Sequence, residues 1–430
     1  MEKRKVSSID FCIKLIVSFL FLTMWFLTFL DDYKYNKALA IFGSVLLLTI
    51  SVLSLIKVRK KLSLLIMFAM LLYFNYSIAY YFYFMDNRGD FFATFSHTSA
   101  AMIGLVCLLL FNLIVYLFLP SKIEENKDVI YIKEENNNPV LVLGTIVICL
   151  LILVFAYTRP TVEGQRGSVS TIYEYSIILF IVGFYYCGKQ KLLRYCLIGV
   201  LLLIALQNLI YGGRVTALQL FIVLLLTNFP KINKKILAIG IAVIFVWMIG
   251  VGAMRAKFSL SGISEALRNT FKGGFALDTA YAAYHASMTF FKVGEITSFS
   301  QKIYLFGRWL LSIPLGGALI NDSNLSVYTV SYHKHYGGGL LPTYMYFYLG
   351  YLGVILISLW IVWYLRRIMF GKTSGLGKSL AIYFVCTVPR WYLYSPSQLF
   401  RGTLLFILVF ALFKLVHNIL VVDKVEIYDK

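Results

Sequence analysis

Charge is the scarcest ordinary ingredient of this 430-residue sequence: only 14% of it is Asp, Glu, Lys or Arg, and just 20 residues are acidic. So little charge against 60% hydrophobic content and a mean hydropathy of +0.79 excludes a water-soluble globular chain. The 35 Phe and 31 Tyr likewise exclude intrinsic disorder, since a solvated chain cannot carry that much apolar area. Cysteine is also sparse. Cys12, Cys107, Cys149, Cys187, Cys196 and Cys386 sit in or beside apolar stretches without a CxxC pair, so neither a disulfide framework nor a zinc site is indicated. What remains is a polytopic membrane protein, all-α because every backbone polar group in lipid must be satisfied within the segment.

Apolar runs between charged punctuation predict spans near 9–30, 38–56, 62–84, 101–119, 140–157, 175–187, 196–211, 215–229, 236–254, 341–365, 379–394 and 403–422, about twelve in all. Those at 175–187 and 215–229 are short, so tilted or broken helices are expected there. The organisation reads as an N-terminal helix group (1–119), a mixed-charge, Asn-rich cytoplasmic connector (120–139), central helices (140–254), a large structured extracytoplasmic loop or cap (255–340) and C-terminal helices (341–430). Within the cap, helical patterns are expected around 263–271 and 278–291. YLFGRWLLSIPLGGALI at 304–320 is too short to span and is broken by Pro314, so it is expected to lie at the membrane interface or to re-enter.

The net charge of +20 resembles a nucleic-acid signal until it is placed. Most lysines fall beside one end of each hydrophobic run, which is topology, and no nucleic-acid partner is expected. The positive-inside bias predicts that both termini are cytoplasmic. The first apolar run is too long for a signal peptide, and no small-residue cleavage site follows it, so it is expected to be an uncleaved helix.

Arginine is distributed differently from lysine. Arg88, Arg159, Arg166, Arg214, Arg255, Arg268, Arg308, Arg390 and Arg401 fall on the outer side of these spans, nine arginines against seven lysines there; the cytoplasmic loops hold five arginines against seventeen lysines. A planar guanidinium offers phosphate two hydrogen bonds and tolerates desolvation better than an ammonium, so the asymmetry points to a pyrophosphate or other polyanion at the outer boundary. For any one arginine, snorkelling to headgroups or pairing with a loop acid is the simpler reading.

Arg214 stands out because NLIYGGRVTALQL sets it after Gly212 and Gly213 at the start of a helix, where backbone N–H groups favour an anion. Arg390 and Arg401 flank a Pro and aromatic break in VPRWYLYSPSQLFRG, and Arg159 and Arg166 share the short loop RPTVEGQRG with Glu163. Arg255 and Arg308 complete the candidate pyrophosphate ligands. Candidate proton acceptors are His333 and His335 in SYHKHYGGG, with Glu265, Asp278, Glu295 and Asp322 as carboxylate alternatives. HxH without a cysteine or carboxylate at ligand spacing argues against a metal, and no cofactor is expected.

YGGRVTALQL, the long outer loop and GGGLLPTYMYFYLGYLG at 337–353 together resemble the bacterial oligosaccharide repeat-unit polymerases of O-antigen and capsule synthesis (Wzy-type). The resemblance implies a membrane glycosyltransferase like the GT-C class. It would act on undecaprenyl-diphosphate-linked oligosaccharides at the outer leaflet of the bacterial cytoplasmic (inner) membrane, beside a chain-length-regulating co-polymerase. It assigns Arg214 to the family's GGR arginine, and Gly350 and Gly353 to its helix-entry glycines. Where that pattern often has an acid before the aromatic-Gly stretch, this chain has Tyr344, which shifts weight for the base to His333, His335 or an upstream carboxylate. An O-antigen ligase-type transferase and a lipid-linked oligosaccharide flippase are the competing readings. The flippase reading expects related halves and short loops, and no internal repeat is visible here.

Overall fold

The structure, a computed structural model, describes residues 8–84, 98–120, 137–158, 168–210, 213–228, 264, 268, 271, 274–369 and 374–428. Its described helices are α1 (Ser8–Leu30), α2 (Lys37–Val58), α3 (Leu62–Phe84), α4 (Ser99–Phe118), α5 (Pro139–Phe155), α6 (Thr171–Tyr186), α7 (Lys191–Ile210), α8 (Arg214–Asn228), α9 (Asp278–Ile296), α10 (Phe299–Leu315), α11 (Leu325–Val330), α12 (Leu341–Met369), α13 (Gly375–Cys386), α14 (Val388–Leu393) and α15 (Ser397–Tyr428). Seven of them, α1–α4, α7, α12 and α15, contain stretches long and apolar enough to cross a membrane. The chain is an all-α polytopic membrane protein. Four further expected spans are apolar helices of 10–17 residues, α5, α6, α8 and α13. The remaining one, 236–254, lies outside the described residues.

The chain forms two compact units. The first comprises Met1–Asn126, Ala276–Arg367 and Val388–Arg401. Here α2 packs on α1, α3 and α4, while α9 packs on α3, α4, α11 and α14. The sequence reading put 278–291 in an outer cap and expected a helix there; that helix is α9, and it is packed among other helices of this unit. Ala280, Ala283, Tyr284, Ala286, Ser287 and Phe290 are all buried, and the Tyr284 hydroxyl donates to the Ala101 carbonyl at 2.7 Å. A helix enclosed by other helices need not be as apolar as one facing lipid, and small residues let neighbouring backbones approach closely.

At one boundary of this unit, α4 ends in three carbonyls that meet three different cations. Lys57 Nζ lies 3.4 Å from Tyr116 O, Lys14 Nζ 2.7 Å from Leu117 O, and Arg366 Nε 3.0 Å from Phe118 O. The last carbonyls of a helix lack intrahelical donors and carry the negative end of its dipole, so cations are favoured there. Asp10 joins the group at 3.0 Å from Lys57 and 3.6 Å from Lys14. Three basic side chains from three other helices therefore cap α4.

The second unit comprises Lys127–Phe275, Ile368–Thr387 and Gly402–Lys430. Within it α5–α8 pack on one another and α13 packs on α6 and α8. Asn138 starts α5 by accepting the Leu141 N–H, and its amide nitrogen lies 3.0 Å from His417 Nδ1 on α15. A two-residue antiparallel pairing, β1 (Tyr157–Thr158) with β2 (Ser168–Val169), closes the ends of the loop RPTVEGQRG. The loop itself, 159–167, lies outside the described residues. The expected span 379–394 is two helices instead: α13 ends at Cys386 in the second unit, and α14 resumes at Val388 in the first.

Candidate functional site

Two segments singled out separately in the sequence, SYHKHYGGG and VPRWYLYSPSQLFRG, meet in the first unit. Helix α14 ends when the N–H groups of Tyr394 and Ser395 both turn back to the Arg390 carbonyl, at 3.0 and 3.1 Å. The chain then restarts through Pro396 into α15, as proline at a helix start allows. Onto this break docks the glycine run: Gly339 N–H donates to Leu393 O at 3.0 Å. The backbone can come this near only without side chains. Gly338 has φ +80°, and a Cβ there would stand 2.8 Å from Leu393 O.

Two side chains lock the loop from below. Tyr344, buried, donates its hydroxyl to Tyr394 O at 3.0 Å. Ser287 on α9 accepts from Leu340 N–H at 2.9 Å and lies 2.7 Å from Thr343 Oγ1. Tyr344 therefore ties the start of α12 to the break between α14 and α15. Further along α12, Gly350 takes φ 62° and ψ −152°, which kinks the helix at the first glycine of the GxxG pair.

His335 is a buried residue whose two nitrogens are both engaged. Nδ1 accepts the Gly337 N–H at 3.0 Å, which puts the ring proton on Nε2, 3.1 Å from Thr329 Oγ1. Burial pushes its pKa below the ordinary histidine value, opposed by a backbone hydrogen bond at Ser326, and so favours the neutral ring. In this arrangement His335 folds the loop and has no nitrogen left for a substrate. His333, two residues earlier, is half-buried.

The arginines separate into three groups. Arg390 lies on α14 with its guanidinium 5.5 Å from the Tyr394 ring centroid, directly at the break. Arg401 and Arg308 both serve α10. Arg401 Nη2 donates to Ser312 O at 2.5 Å and Nε to Ile313 O at 3.4 Å, capping the end of that helix. Arg308 donates from Nε to Asn321 O at 2.6 Å and also reaches the Tyr304 hydroxyl. Arg214 is half-buried at the first position of α8 in the second unit. Arg159, Arg166 and Arg255 lie outside the described residues.

The preceding Gly213 is fixed by packing. Its N–H donates to Asn208 O at 2.6 Å, and a Cβ would fall 2.4 Å from Asn208 Oδ1. Asn208 is held in turn by Tyr173, whose hydroxyl accepts from Asn208 Nδ2 at 2.7 Å and donates to Gln207 Oε1 at 2.8 Å.

Sequence reasoning missed Thr329, Ser287 and the buried cluster behind α14. In that cluster Asn75 Nδ2 donates to Ser51 Oγ and Asn112 Oδ1 at 2.9 and 3.1 Å, while Tyr392 OH donates to Asn75 Oδ1 at 3.0 Å. Two asparagines inside apolar runs were the available signal, because a polar side chain in a span needs an internal partner. Among the described residues no group of three His, Cys, Asp or Glu side chains is arranged to hold a metal. No known protein family, curated protein or solved structure matches the chain.

Proposed function

We propose that this chain polymerises polyprenyl-diphosphate-linked oligosaccharide repeat units at the outer leaflet of the bacterial cytoplasmic membrane, as a twelve-span, GT-C-like glycosyltransferase with both termini cytoplasmic. The observation that supports this reading best is the convergence of the His333–Gly339 loop with the helix break carrying Arg390. One neighbourhood then offers a proton acceptor and a guanidinium beside two half-buried backbone turns. The sequence resemblance supports the same reading independently.

In the proposed reaction, an acceptor sugar hydroxyl attacks the anomeric carbon of the donor glycan. The new glycosidic C–O bond forms as the C–O bond to the lipid pyrophosphate breaks, with inversion at that carbon. The hydroxyl proton passes to His333, the half-buried histidine of the same loop. Charge develops on the departing pyrophosphate and an arginine stabilises it; the break offers Arg390, and the resemblance assigns Arg214. A single displacement of this kind inverts the anomeric carbon, and retained stereochemistry in the polymer linkage would overturn it.

The test is incubation of the purified protein with a synthetic polyprenyl-diphosphate repeat unit, followed by gel analysis. A ladder of products that Arg214→Ala and Arg390→Ala each abolish supports the reading. Transfer of preformed polymer to another acceptor would make it a ligase; vesicle transport without a ladder would make it a flippase.

A further inference from the structure

Helix α10 is 17 residues long, about 25 Å at 1.5 Å per residue and so short of a ~30 Å hydrocarbon core. Yet it is apolar on two sides. One side is built into the protein: Leu305, Trp309 and Ser312 are buried, Trp309 Nε1 donates to Ser397 Oγ at 3.0 Å, and the Trp309 ring packs with Tyr348 and Phe400.

The other side is bare. Phe299, Ile303, Tyr304, Leu310, Leu311 and Leu315 are 72, 40, 50, 44, 56 and 54% exposed, and at about 100° per residue they fall within an arc of roughly 160°. Arg308 stands at the edge of that arc. In water this would be a contiguous apolar patch of the kind that soluble surfaces avoid.

The anchors of α10 fix its height. Ser397 and Phe400 lie at the start of the span in α15, and Tyr348 lies in the first third of α12. The far end of α12 carries Arg366, which shares the other boundary with Lys14 and Lys57. Helix α10 is therefore held by the starts of α12 and α15 and, through Phe400, which also packs on Trp360, by the part of α12 beyond its kink. Beyond the Gly350 kink, α12 also exposes apolar side chains, Leu352 and Leu356, as a helix that faces lipid does.

We infer that α10 is an interfacial helix. Its Phe299, Ile303 and Leu311 side rests in phospholipid acyl chains just below the headgroups, and Arg308 lies at headgroup level. The inference holds whether or not the chain is a polymerase.

To test it, an environment-sensitive fluorophore is attached at Leu311→Cys or Ile303→Cys in full-length protein carrying Cys12→Ser and Cys196→Ser, the two exposed native thiols. The protein is reconstituted in phosphatidylcholine vesicles, with Gln301→Cys, at the polar edge, as comparison. Phosphatidylcholine brominated on its acyl chains should quench the label at both apolar positions about two-fold or more, while aqueous iodide leaves them bright and quenches the label at position 301. Strong iodide quenching at both apolar positions would overturn the inference by placing that face in water. Protection from both quenchers would overturn it by showing that protein, either a second copy or a partner, covers the face.

Discussion

Arg401, on the second turn of α15, closes on the carbonyl of Ser312, 89 residues earlier in the chain and at the end of α10. Pro314 and the following glycines stop α10; the Ser312 carbonyl keeps a backbone donor, the Gly316 N–H at 3.0 Å, and one planar side chain adds a second there and reaches the Ile313 carbonyl as well. A residue that the sequence offers as a pyrophosphate ligand thus has an observed task in holding a helix in place.

That task makes Arg401 and Arg390 separable by experiment. Arg401→Ala should lower stability by about 1.5–3 kcal/mol, the usual value of a hydrogen bond from a charged group, seen as a fall in the thermal midpoint of the detergent-solubilised protein. Arg390→Ala should abolish the product ladder. An unchanged midpoint for Arg401→Ala would refute its capping role.

The glycine run gives a steric prediction. Gly338→Ala places a methyl group against Leu393 O at a positive φ, costing about 1–3 kcal/mol for the backbone conformation alone. The glycine loop should then lift from the α14–α15 break. Amide hydrogen exchange at Gly339, whose N–H binds Leu393 O, should accelerate, and unchanged exchange there would show that the loop is not held by this contact.

Most of the helices were legible because lipid imposes a simple rule of length and hydropathy on any segment that faces it. Where a helix faces protein, the rule lapses. Alanine, serine and histidine in α9 kept its hydropathy low, and its burial against α3 and α4 had no sequence signature. At the candidate site, the histidine loop and the arginine-flanked break were each visible as motifs. Their meeting depends on Gly339 and Leu393, 54 positions apart, and so on tertiary packing. The role of His335 was equally hidden, since Thr329 and Gly337 occupy its nitrogens only after the loop has folded.

His335 also predicts a pH dependence. Its folded pKa lies below the ordinary value, about 6.5 for an unperturbed histidine, so the unfolded loop binds the proton more readily. The stability contributed by the neutral ring is complete above about pH 6.5 and declines as pH falls through and below that value. Replacing His335 by Gln keeps an N–H donor for Thr329 and removes the titration. The thermal midpoint of the wild type should fall between about pH 7 and 5 more steeply than that of His335→Gln; parallel profiles would assign the acid sensitivity elsewhere.

The buried polar cluster behind α14 should be worth little energy and much order. Tyr392→Phe removes the donor to Asn75 Oδ1 while keeping the ring stacked on Phe74. In membranes such interhelical bonds average about 0.6 kcal/mol and reach about 1.7. A small loss of midpoint is expected together with faster exchange of the Gly339 amide, because Leu393, its acceptor, follows Tyr392 directly on α14. A loss of midpoint without any change in that exchange would leave the cluster as a packing contact that does not hold the break.

At the start of α8 the glycine before Arg214 is tightly constrained. A methyl group at position 213 would lie 2.4 Å from Asn208 Oδ1, a separation that real side chains do not tolerate, and Asn208 cannot retreat without breaking its bonds to Tyr173 and Ile204. Gly213→Ala should therefore destabilise by about 1–3 kcal/mol, the usual cost of overpacking a core. Shortening the obstructing residue should recover part of that loss, so Gly213→Ala with Asn208→Ala should be less destabilised than the two single effects added together, by about 0.5–3 kcal/mol of coupling. If the effects simply add, the glycine is retained for a reason other than Asn208. The product ladder of the double variant would then show whether the arginine that follows needs this turn or only its own charge.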